Sequence, residues 1–234
     1  MTEPPTDRKP PRCHALVPCA GVGERAGTGG PKQYAALHGR AVVAHTLAAL
    51  AAVPRLGTTL VVLAPADREF ERHVPGFDGW VERCGGVSRA ESVANGLEAL
   101  LARGVHTDDW VLVHDAARCL LQPAWVERLI DACEGDAVGG LLALPLADTL
   151  KQARGDRVAA TVDRAGKWAA QTPQMFRLGL LHRALAAAGP GVTDEASAVE
   201  ALGLAPKLVP GEIENLKVTW PADFALAERL LESR

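Results

Sequence analysis

The 234-residue sequence lacks the features that mark several large classes of protein. Its five cysteines are an odd number without a C-x-x-C pair, which argues against a disulfide framework or a zinc site and favours reduced thiols in the cytoplasm. Its apolar runs are shorter than a membrane span. The formal net charge of −3 gives no general attraction for nucleic acid or anionic membranes, so a site for a polyanion must be built from cations placed locally.

The composition that remains is that of a globular protein with a full core. Hydrophobic residues make up 48% of the chain and charged residues 23%, and the length fits a single α/β domain. Residues 1–12 are expected to form a disordered tail, because they are polar and proline-rich. They are not interpreted as a signal peptide, since they lack its apolar stretch. Residues 13–234 are therefore interpreted as one domain.

Apolar, β-branched stretches alternate with helical patterns along this domain. The alternation predicts a Rossmann-like, three-layer α/β fold, in which helices cover both faces of a mainly parallel sheet. The predicted strands are 14–19, 58–63, 81–84, 110–114, 137–144 and 215–219. The predicted helices are 41–52, 88–102, 123–133, 178–188, one that begins at residue 193 and one from residue 221 to the C-terminus.

The pattern changes between residues 145 and 173. The stretches 146–152 and 157–162 flank a polar turn at 154–156, which predicts a β-hairpin. The hairpin is too polar for a core strand pair, and an isolated hairpin is marginally stable. It is interpreted as a projecting arm that packs on a second copy of the chain in a homodimer, the alternative being a loose surface hairpin.

A glycine-rich loop follows the first predicted strand. From Ala20 to Tyr34 it reads A-G-V-G-E-R-A-G-T-G-G-P-K-Q-Y, with cations at Arg25 and Lys32. Glycine loses more backbone entropy on folding than any other residue, but it exposes main-chain N–H groups that can surround an anion. Arg25 and Lys32 bring full charges to the same place. We expect the loop to bind a nucleoside triphosphate; the alternative is a surface loop with two solvated cations.

The loop also contains a G-x-G-x-x-A pattern beginning at Gly21, which makes an NAD(P)-dependent dehydrogenase an alternative. Two observations argue against it. Residues 28–31, Thr-Gly-Gly-Pro, would break the helix that the pattern requires, and residues 40–60 contain no Asp or Glu to bind the ribose. A P-loop is excluded as well, because glutamine follows the lysine.

A second candidate segment, H-D-A-A-R, follows the strand predicted at 110–114. Ligands of parallel α/β sheets bind at the carboxyl ends of the strands, so Asp115 and Arg118 are candidates for substrate contact. Asp115 is also a candidate ligand for a magnesium ion. An aspartate that caps a turn, with an arginine in solvent, explains the same pattern as well. His114 is interpreted as structural and not as a base.

Jointly, these motifs resemble the sugar and polyol nucleotidyltransferases, and among them the 2-C-methyl-D-erythritol 4-phosphate cytidylyltransferase family. The matching motifs are A-G-x-G-E-R and P-K-Q-Y in the loop, G-G-x-x-R-x-x-S-V at 85–93, H-D-A-A-R at 114–118, D-T-x-K at 148–151, T-V-x-R at 161–164, Q-T-P-Q at 171–174, T-D-E-A-S at 193–197 and N-x-K-V-T at 215–219. Cys19, Ala26 and Cys119 depart from the family pattern without replacing a charged group. A CDP-ribitol pyrophosphorylase shares most of these motifs and is the nearest alternative.

The resemblance implies that CTP reacts with methylerythritol phosphate, with Mg²⁺ as cofactor and release of pyrophosphate. It implies the following nucleotide-binding residues: Ala20, Gly21, Gly23, Arg25, Lys32, Gly86, Ser92 and Ala116. It implies the following residues for the methylerythritol phosphate: Asp115, Arg118, Thr149, Arg164, Thr172 and Lys217. The implied catalytic residues are Arg25, Lys32, Arg164 and Lys217. Thr149 and Arg164 are expected to reach the site from a partner's arm.

Overall fold

The centre of the structure, a computed structural model that describes residues 12–21, 23, 30–189 and 192–234, is a seven-stranded sheet. The strands of the described residues are β1 (Cys13–Pro18), β2 (Ala36–Leu37), β3 (Arg40–Ala41), β4 (Leu56–Val62), β5 (Trp80–Glu82), β6 (Trp110–Val113), β7 (Gly139–Pro145), β8 (Leu150–Arg154), β9 (Arg157–Val162), β10 (Trp168–Arg177) and β11 (Lys207–Pro210). The helices are α1 (Val42–Ala51), α2 (Phe70–His73), α3 (Arg89–Ala102), α4 (Pro123–Cys133), α5 (Leu178–Ala187), α6 (Glu195–Glu200) and α7 (Pro221–Glu232).

The sheet has the strand order β11-β7-β10-β6-β1-β4-β5. Its pairs are parallel except for those of β10, which runs antiparallel to both β6 and β7. The predicted mainly parallel sheet is therefore confirmed. The predicted arm hairpin is present as well, since β8 and β9 form a separate antiparallel pair.

Helices cover both faces of the sheet because its strands are apolar on both sides. Leu16 and Val17 on β1 are fully buried, yet they belong to two different core clusters. One cluster includes side chains of α1 and α4, and the other includes side chains of α3, α5 and α6. Successive side chains of a strand point to opposite faces, so a continuous apolar run of this kind is what a sheet between two helical layers requires.

Three parts of the strand prediction for the central sheet are wrong. The edge strand β11 was not predicted, because its four residues are too few to show a strand pattern. Residues 215–219 form an irregular segment, because the Val218 N–H donates to the Ala117 carbonyl (2.9 Å) and so packs this segment on a loop. Strand β10 was not predicted, although it lies in the middle of the sheet. Its polar residues Gln171, Thr172 and Gln174 are buried and hydrogen-bonded, which a central strand rarely shows, and its pairing with β7 is irregular there.

The predicted N-terminal tail lies outside the described residues, apart from Arg12. The Arg12 N–H donates to Asp109 Oδ1 (2.9 Å), and its carbonyl accepts from the Trp110 N–H (2.8 Å). Arg12 thus extends the pairing of β1 with β6 by one residue. Each helix in the described ranges is too short or too polar to cross a membrane.

Candidate active site

A cleft of about 430 Å³ opens where β1, β5 and β6 end. Its walls come from the loops after these strands, from the start of α3 and from the irregular segment before α7. The cleft is lined by nine of the residues predicted from the sequence: Ala20, Gly21, Gly23, Lys32, Gly86, Ser92, Asp115, Ala116 and Lys217. The position at the carboxyl ends of parallel strands is the expected one for a ligand site.

Lys32 is fixed at this cleft by two contacts. Its ammonium group donates to the Val218 carbonyl (2.9 Å), in the segment that carries Lys217. Its aliphatic chain lies against Gly23, where an added Cβ would come within 2.5 Å of Lys32 Cγ. Gly23 also has φ +65°, which favours glycine for a second reason. Arg25 lies outside the described residues, so its place at the triphosphate stays a prediction.

A rigid turn at the start of α3 forms the second wall. Ser88 caps the helix by accepting from the Glu91 N–H (3.1 Å), as the sequence predicted. The Ser92 hydroxyl accepts from the Gly86 N–H (3.0 Å) and donates to the Ser88 carbonyl (2.9 Å). At Gly86 an added Cβ would lie 2.3 Å from Glu91 Cγ. The turn therefore requires glycine at this position, and Ser92 holds the turn in place.

Asp115 lies on the floor of the cleft among three cations. Lys217 Nζ is 2.8 Å and Arg118 Nε 3.9 Å from its Oδ2, while Arg89 Nε donates to its Oδ1 (2.7 Å). Burial alone would raise the pKa of Asp115, but the nearby charges of Arg89 and Lys217 outweigh burial and hold this pKa well below its usual range. The carboxylate is therefore ionised and fixes the ammonium group of Lys217.

Arg89 joins Asp115 to a second, fully buried carboxylate. Its guanidinium donates to both carboxylate oxygens of Glu195 (2.6 and 3.1 Å), and the Glu195 side chain is 1% exposed. Burial lowers the pKa of Arg89, but Glu195 and Asp115 outweigh burial and raise it. The sequence placed both residues inside motifs without giving either a role. The signal in the sequence is the charge of the two residues, because a charged residue inside a buried motif needs a partner of opposite charge. The partner lies 106 positions away in this case.

His114 has a structural role, as the sequence suggested. Its Nε2 lies 3.2 Å from the Arg118 carbonyl, which can only accept, so this nitrogen carries the proton. Its Nδ1 then accepts from the Thr172 hydroxyl (3.0 Å), whose oxygen in turn accepts from the Asp115 N–H (3.0 Å). Burial lowers the pKa of His114 to about 4, so the ring is neutral near pH 7.

Arg118 and Thr172 lie beside Asp115, next to the cleft lining. Arg118 Nη1 donates to the Asn215 carbonyl (2.6 Å), and the Asn215 side chain donates to the Thr172 carbonyl (2.8 Å). These contacts tie the segment that carries Lys217 to β10. The predicted role of Arg118 and Thr172 in substrate binding stays a prediction.

Thr149 and Arg164 lie at the base of the arm, away from the cleft lining of their own chain. Thr149 directly precedes β8 and Arg164 follows β9 by two residues; both are exposed. Nearly all residues of β8 and β9 are exposed as well. Contact of these two residues with a substrate stays a prediction, and so does the subunit interface.

The described residues offer little to a metal ion directly. They contain no group of three or more His, Cys, Asp or Glu side chains that could hold one. Asp115, the candidate ligand, has its two oxygens bound to Arg89 and Lys217.

A larger cavity, about 710 Å³, lies at the opposite end of the strands, beside the first residues of β1, β4 and β6. Two of its three arginines have side-chain partners. Arg55 pairs with Glu127, Asp131 and Glu134, and Arg177 lies over the ring of Trp110. The cleft beside Asp115 is therefore the better candidate for chemistry.

Comparisons with known proteins identify the family of this chain. Residues 13–233 match the family model described as IspD: 2-C-methyl-D-erythritol 4-phosphate cytidylyltransferase. The chain is 58% identical over 226 residues to the protein of that name from Laribacter hongkongensis, covering 94% of this chain and 96% of that one. It is 61% identical over 225 residues to the bifunctional enzyme IspD/IspF of Albidiferax ferrireducens, covering 96% of this chain but 54% of that enzyme.

Solved structures give the same result. A crystal structure of 4-diphosphocytidyl-2C-methyl-D-erythritol synthase matches with a TM-score of 0.85 and 43% identity, covering 94% of this chain and 98% of that one. The 2-C-methyl-D-erythritol 4-phosphate cytidylyltransferase of Thermus thermophilus matches with a TM-score of 0.78 and 33% identity, covering 93% and 98%. The dehydrogenase alternative is therefore discarded. The chain is a nucleotidyltransferase, and it belongs to the 2-C-methyl-D-erythritol 4-phosphate cytidylyltransferase family.

Proposed function

We propose that this chain joins CTP to 2-C-methyl-D-erythritol 4-phosphate, giving 4-CDP-2-C-methyl-D-erythritol and pyrophosphate in the supply of isoprenoid precursors. The observation that carries the proposal is the convergence of Lys32 and Lys217 on one glycine-lined cleft, with the ionised Asp115 between the loops that hold them. The cations of such a cleft suit two phosphorylated substrates, and its ionised carboxylate suits a hydroxyl group of a substrate. Membership of the family favours CTP and 2-C-methyl-D-erythritol 4-phosphate as these substrates.

The reaction needs little acid–base chemistry from the protein. The attacking group is a phosphate monoester, whose second pKa is about 6, so it is largely dianionic at neutral pH. One of its oxygens attacks the α-phosphorus of CTP, and the bond from this phosphorus to the pyrophosphate oxygen breaks. The obstacle is repulsion between two polyanions, so catalysis consists of positioning and electrostatic stabilisation by cations.

The cations on the two sides of the cleft have different tasks in this proposal. Lys32 and Arg25 neutralise the triphosphate and the leaving pyrophosphate, assisted by main-chain groups of Ala20, Gly21 and Gly23. Lys217 bridges the two phosphates that become joined. Its ammonium group starts from a fixed position, because it is already held by Asp115, and a fixed donor needs no reorganisation in the transition state.

The nucleoside lies, in this proposal, against Gly86, Ser92 and Ala116. Gly86 and Ser92 belong to the hydrogen-bonded turn before α3, and Ala116 follows the strand that ends beside it. Main-chain groups in a rigid turn can discriminate a base by its hydrogen-bonding edge, because a wrong base leaves them unpaired.

The polyol phosphate lies on the other side of Asp115, near Arg118 and Thr172. Asp115 is ionised and accepts from a hydroxyl group of the polyol. Arg164 and Thr149 bind its phosphate from the arm of a second chain, so the active form is a homodimer in which arms are exchanged. The exposed arm supports this part, since a solvated hairpin is marginally stable without a partner surface. Val158 on β9 is 65% exposed and offers the partner an apolar contact.

Two further features complete the proposal. Mg²⁺ enters with CTP as part of the substrate, held mainly by phosphate oxygens, since the oxygens of Asp115 already bind two cations. The protein works in the cytoplasm, since its five cysteines, all in the described ranges, are free thiols, as a reducing compartment favours.

Pyrophosphate release measured across a matrix of substrates tests the function. CTP, UTP, ATP and GTP are each paired with methylerythritol 4-phosphate and with ribitol 5-phosphate. We expect CTP with methylerythritol 4-phosphate to have the highest kcat/KM. Faster release with ribitol 5-phosphate would identify a CDP-ribitol pyrophosphorylase instead, and no release with either polyol would reject the proposal.

A further inference from the structure

The cleft is backed by a chain of ionic contacts that runs from α6 to Lys217. It consists of Glu195, Arg89, Asp115 and Lys217, joined by the contacts of 2.6, 2.7 and 2.8 Å given above. Glu195 lies at the far end, behind Arg89. It lines a separate cavity of about 460 Å³ between α3, α5 and α6, not the cleft. Among these four residues it is thus the one set back from the substrates.

We propose that Glu195 is a positioning residue, which holds the Lys217 ammonium group in place by keeping the Nη1 and Nη2 groups of Arg89 turned away from Asp115, so that Arg89 contacts this carboxylate through Nε alone. The proposal rests on the function proposed above, in which Lys217 bridges the two reacting phosphates. Arg89 has one carboxylate on each side. Glu195 occupies both Nη1 and Nη2, which leaves Nε for Asp115 Oδ1. The second oxygen of Asp115 is therefore available to Lys217.

The geometry explains why the carboxylate of Glu195 is needed. A guanidinium that lost this partner would present its two-pronged edge to the remaining carboxylate, because bidentate pairing is the preferred arrangement of arginine with a carboxylate. Arg89 would then bind both oxygens of Asp115 and compete with Lys217. The ammonium group would leave its position, while the charges in the cleft that attract the substrates would stay.

The fold holds Glu195 rigidly enough for this task. It is the first residue of α6, whose capping residue Asp194 accepts from the Ser197 N–H (3.0 Å). Gln174 on β10 anchors the same turn, since its side chain donates to Asp194 (2.8 Å) and accepts from the Ala196 N–H (2.8 Å). Glu195 is thereby fixed to the central sheet, and its position does not depend on a substrate.

The test is a double-mutant cycle that combines Glu195→Gln with Lys217→Ala. In the otherwise unchanged enzyme, Glu195→Gln should lower kcat by about 10- to 100-fold and change the KM for CTP by less than about 3-fold, since a displacement near 1 Å has an effect of this size. In the Lys217→Ala background, the same change should lower kcat by less than about 3-fold, because the group that Glu195 positions is gone. Radiolabelled pyrophosphate release keeps the slow double variant measurable.

Equal losses of kcat in the two backgrounds would overturn the proposal, because a purely structural role does not depend on Lys217. All assays are run well below the melting temperature of each variant. If Glu195→Gln does not fold, Glu195→Asp replaces it in the cycle. Aspartate keeps the charge, but its side chain is one methylene shorter and draws the carboxylate back from Nη1 and Nη2 of Arg89, so a loss of kcat with the same dependence on Lys217 is expected.

Glu82→Gln is the matched control, since it removes a carboxylate from a pair with Arg103 outside the cleft lining, and it should leave kcat unchanged. The unmodified enzyme separates the two proposals. If it releases no pyrophosphate from CTP and methylerythritol 4-phosphate, the proposed function fails. If it does so and the cycle is additive, only the role of Glu195 fails.

Discussion

The ammonium group of Lys32 donates a hydrogen bond of 2.9 Å to the main-chain carbonyl of Val218, the residue after Lys217. This bond brings together two cations that lie at opposite ends of the chain, one in the loop after β1 and the other in the segment before α7. Two polyanions can meet only where such charges are collected, so the contact between these two segments is a structural requirement of the proposed reaction.

Replacing Lys32 with alanine should lower kcat about 10²- to 10³-fold, since it removes one fixed donor to the transition state. Arg25→Ala should have a loss of the same order. The measurement is steady-state pyrophosphate release with saturating CTP and methylerythritol 4-phosphate. Lys207→Ala is the control. Lys207 lies on the edge strand β11 and pairs with Asp136, so its replacement should leave kcat unchanged. Near-normal turnover by Lys32→Ala would contradict the role of the loop.

Gly23→Ala should also lower kcat, by about 10-fold or more, because the added methyl group would push the Lys32 side chain out of position. Gly39→Ala is a matched control. Gly39 has φ +75°, close to the +65° of Gly23, so both variants carry backbone strain of about 1–2 kcal/mol. At Gly39, however, no atom of the described residues lies within 4 Å of the new Cβ.

Thermal unfolding and kcat are measured for both glycine variants. A similar loss of stability with a loss of kcat confined to Gly23→Ala is the expected outcome. If kcat fell equally in the two variants, strain in the backbone and not displacement of Lys32 would be the cause.

The exchange of arms predicts that two inactive chains complement each other. Chains carrying Arg164→Ala or Lys32→Ala should each be inactive as homodimers, because in the proposed dimer each site takes Lys32 from one chain and Arg164 from the other. A heterodimer purified through two different tags has one intact site. It should show about half of the unmodified activity, as expected for a symmetric dimer with two shared sites.

Two results would count against the shared site. Activity of the heterodimer no higher than that of the two homodimers would place Arg164 in the site of its own chain. A fully active monomer in sedimentation would exclude arm exchange altogether.

His114 gives a prediction about pH and stability. Its pKa is lowered by burial from 6.5 to about 4 in the folded protein, so the unfolded chain takes up a proton first as the pH falls. The stability that depends on the neutral ring is present above about pH 6.5 and is lost as the pH falls towards 4. At about 1.4 kcal/mol per pKa unit, the loss is about 3 kcal/mol.

Urea unfolding between pH 7 and 4 measures this effect in the unmodified protein and in His114→Asn. The variant should be less stable at pH 7, and the difference in unfolding free energy should shrink by about 3 kcal/mol towards pH 4. His38→Asn is the control for replacing a histidine, since His38 is exposed and asparagine tolerates its φ of +44°. A constant difference across the range would show that His114 does not titrate as its burial implies.

The sequence predicts those parts of the structure that depend on local patterns. Continuous apolar runs predicted the parallel strands β1, β4, β5, β6 and β7 but not the short β11. Ser88 and Glu91 predicted the start of α3, and the polar stretch around residue 155 predicted the β8–β9 hairpin. The segment 215–219 alternates as a strand does, yet its main chain binds a loop. Strand β10 has the reverse property, since its polar side chains are hydrogen-bonded to residues distant in sequence, which a local sequence pattern does not show.

The candidate site shows the same limit. Motifs placed Lys32, Asp115 and Lys217 in one cleft, and the structure agrees. The pairing of Arg89 with Glu195 was not predicted, because it depends on the packing of α6 beside α3 and no spacing along the chain encodes it. The ion-pair partners of charged residues in a buried motif therefore have to be taken from the structure.

The arm is inserted at the tip of a hairpin that is already complete. Pro145 and Trp168, where the chain leaves β7 and enters β10, are paired neighbours, and the Leu146 N–H donates to the Lys167 carbonyl (3.1 Å) beyond them. A short turn in place of the inserted residues would close β7 onto β10 and keep the whole sheet. The stretch that contacts the partner in the proposed dimer is thus separable from the stretch that specifies the fold. Arms of different length or charge could then be exchanged between related enzymes without redesign of the sheet, provided that Thr149 and Arg164 are kept.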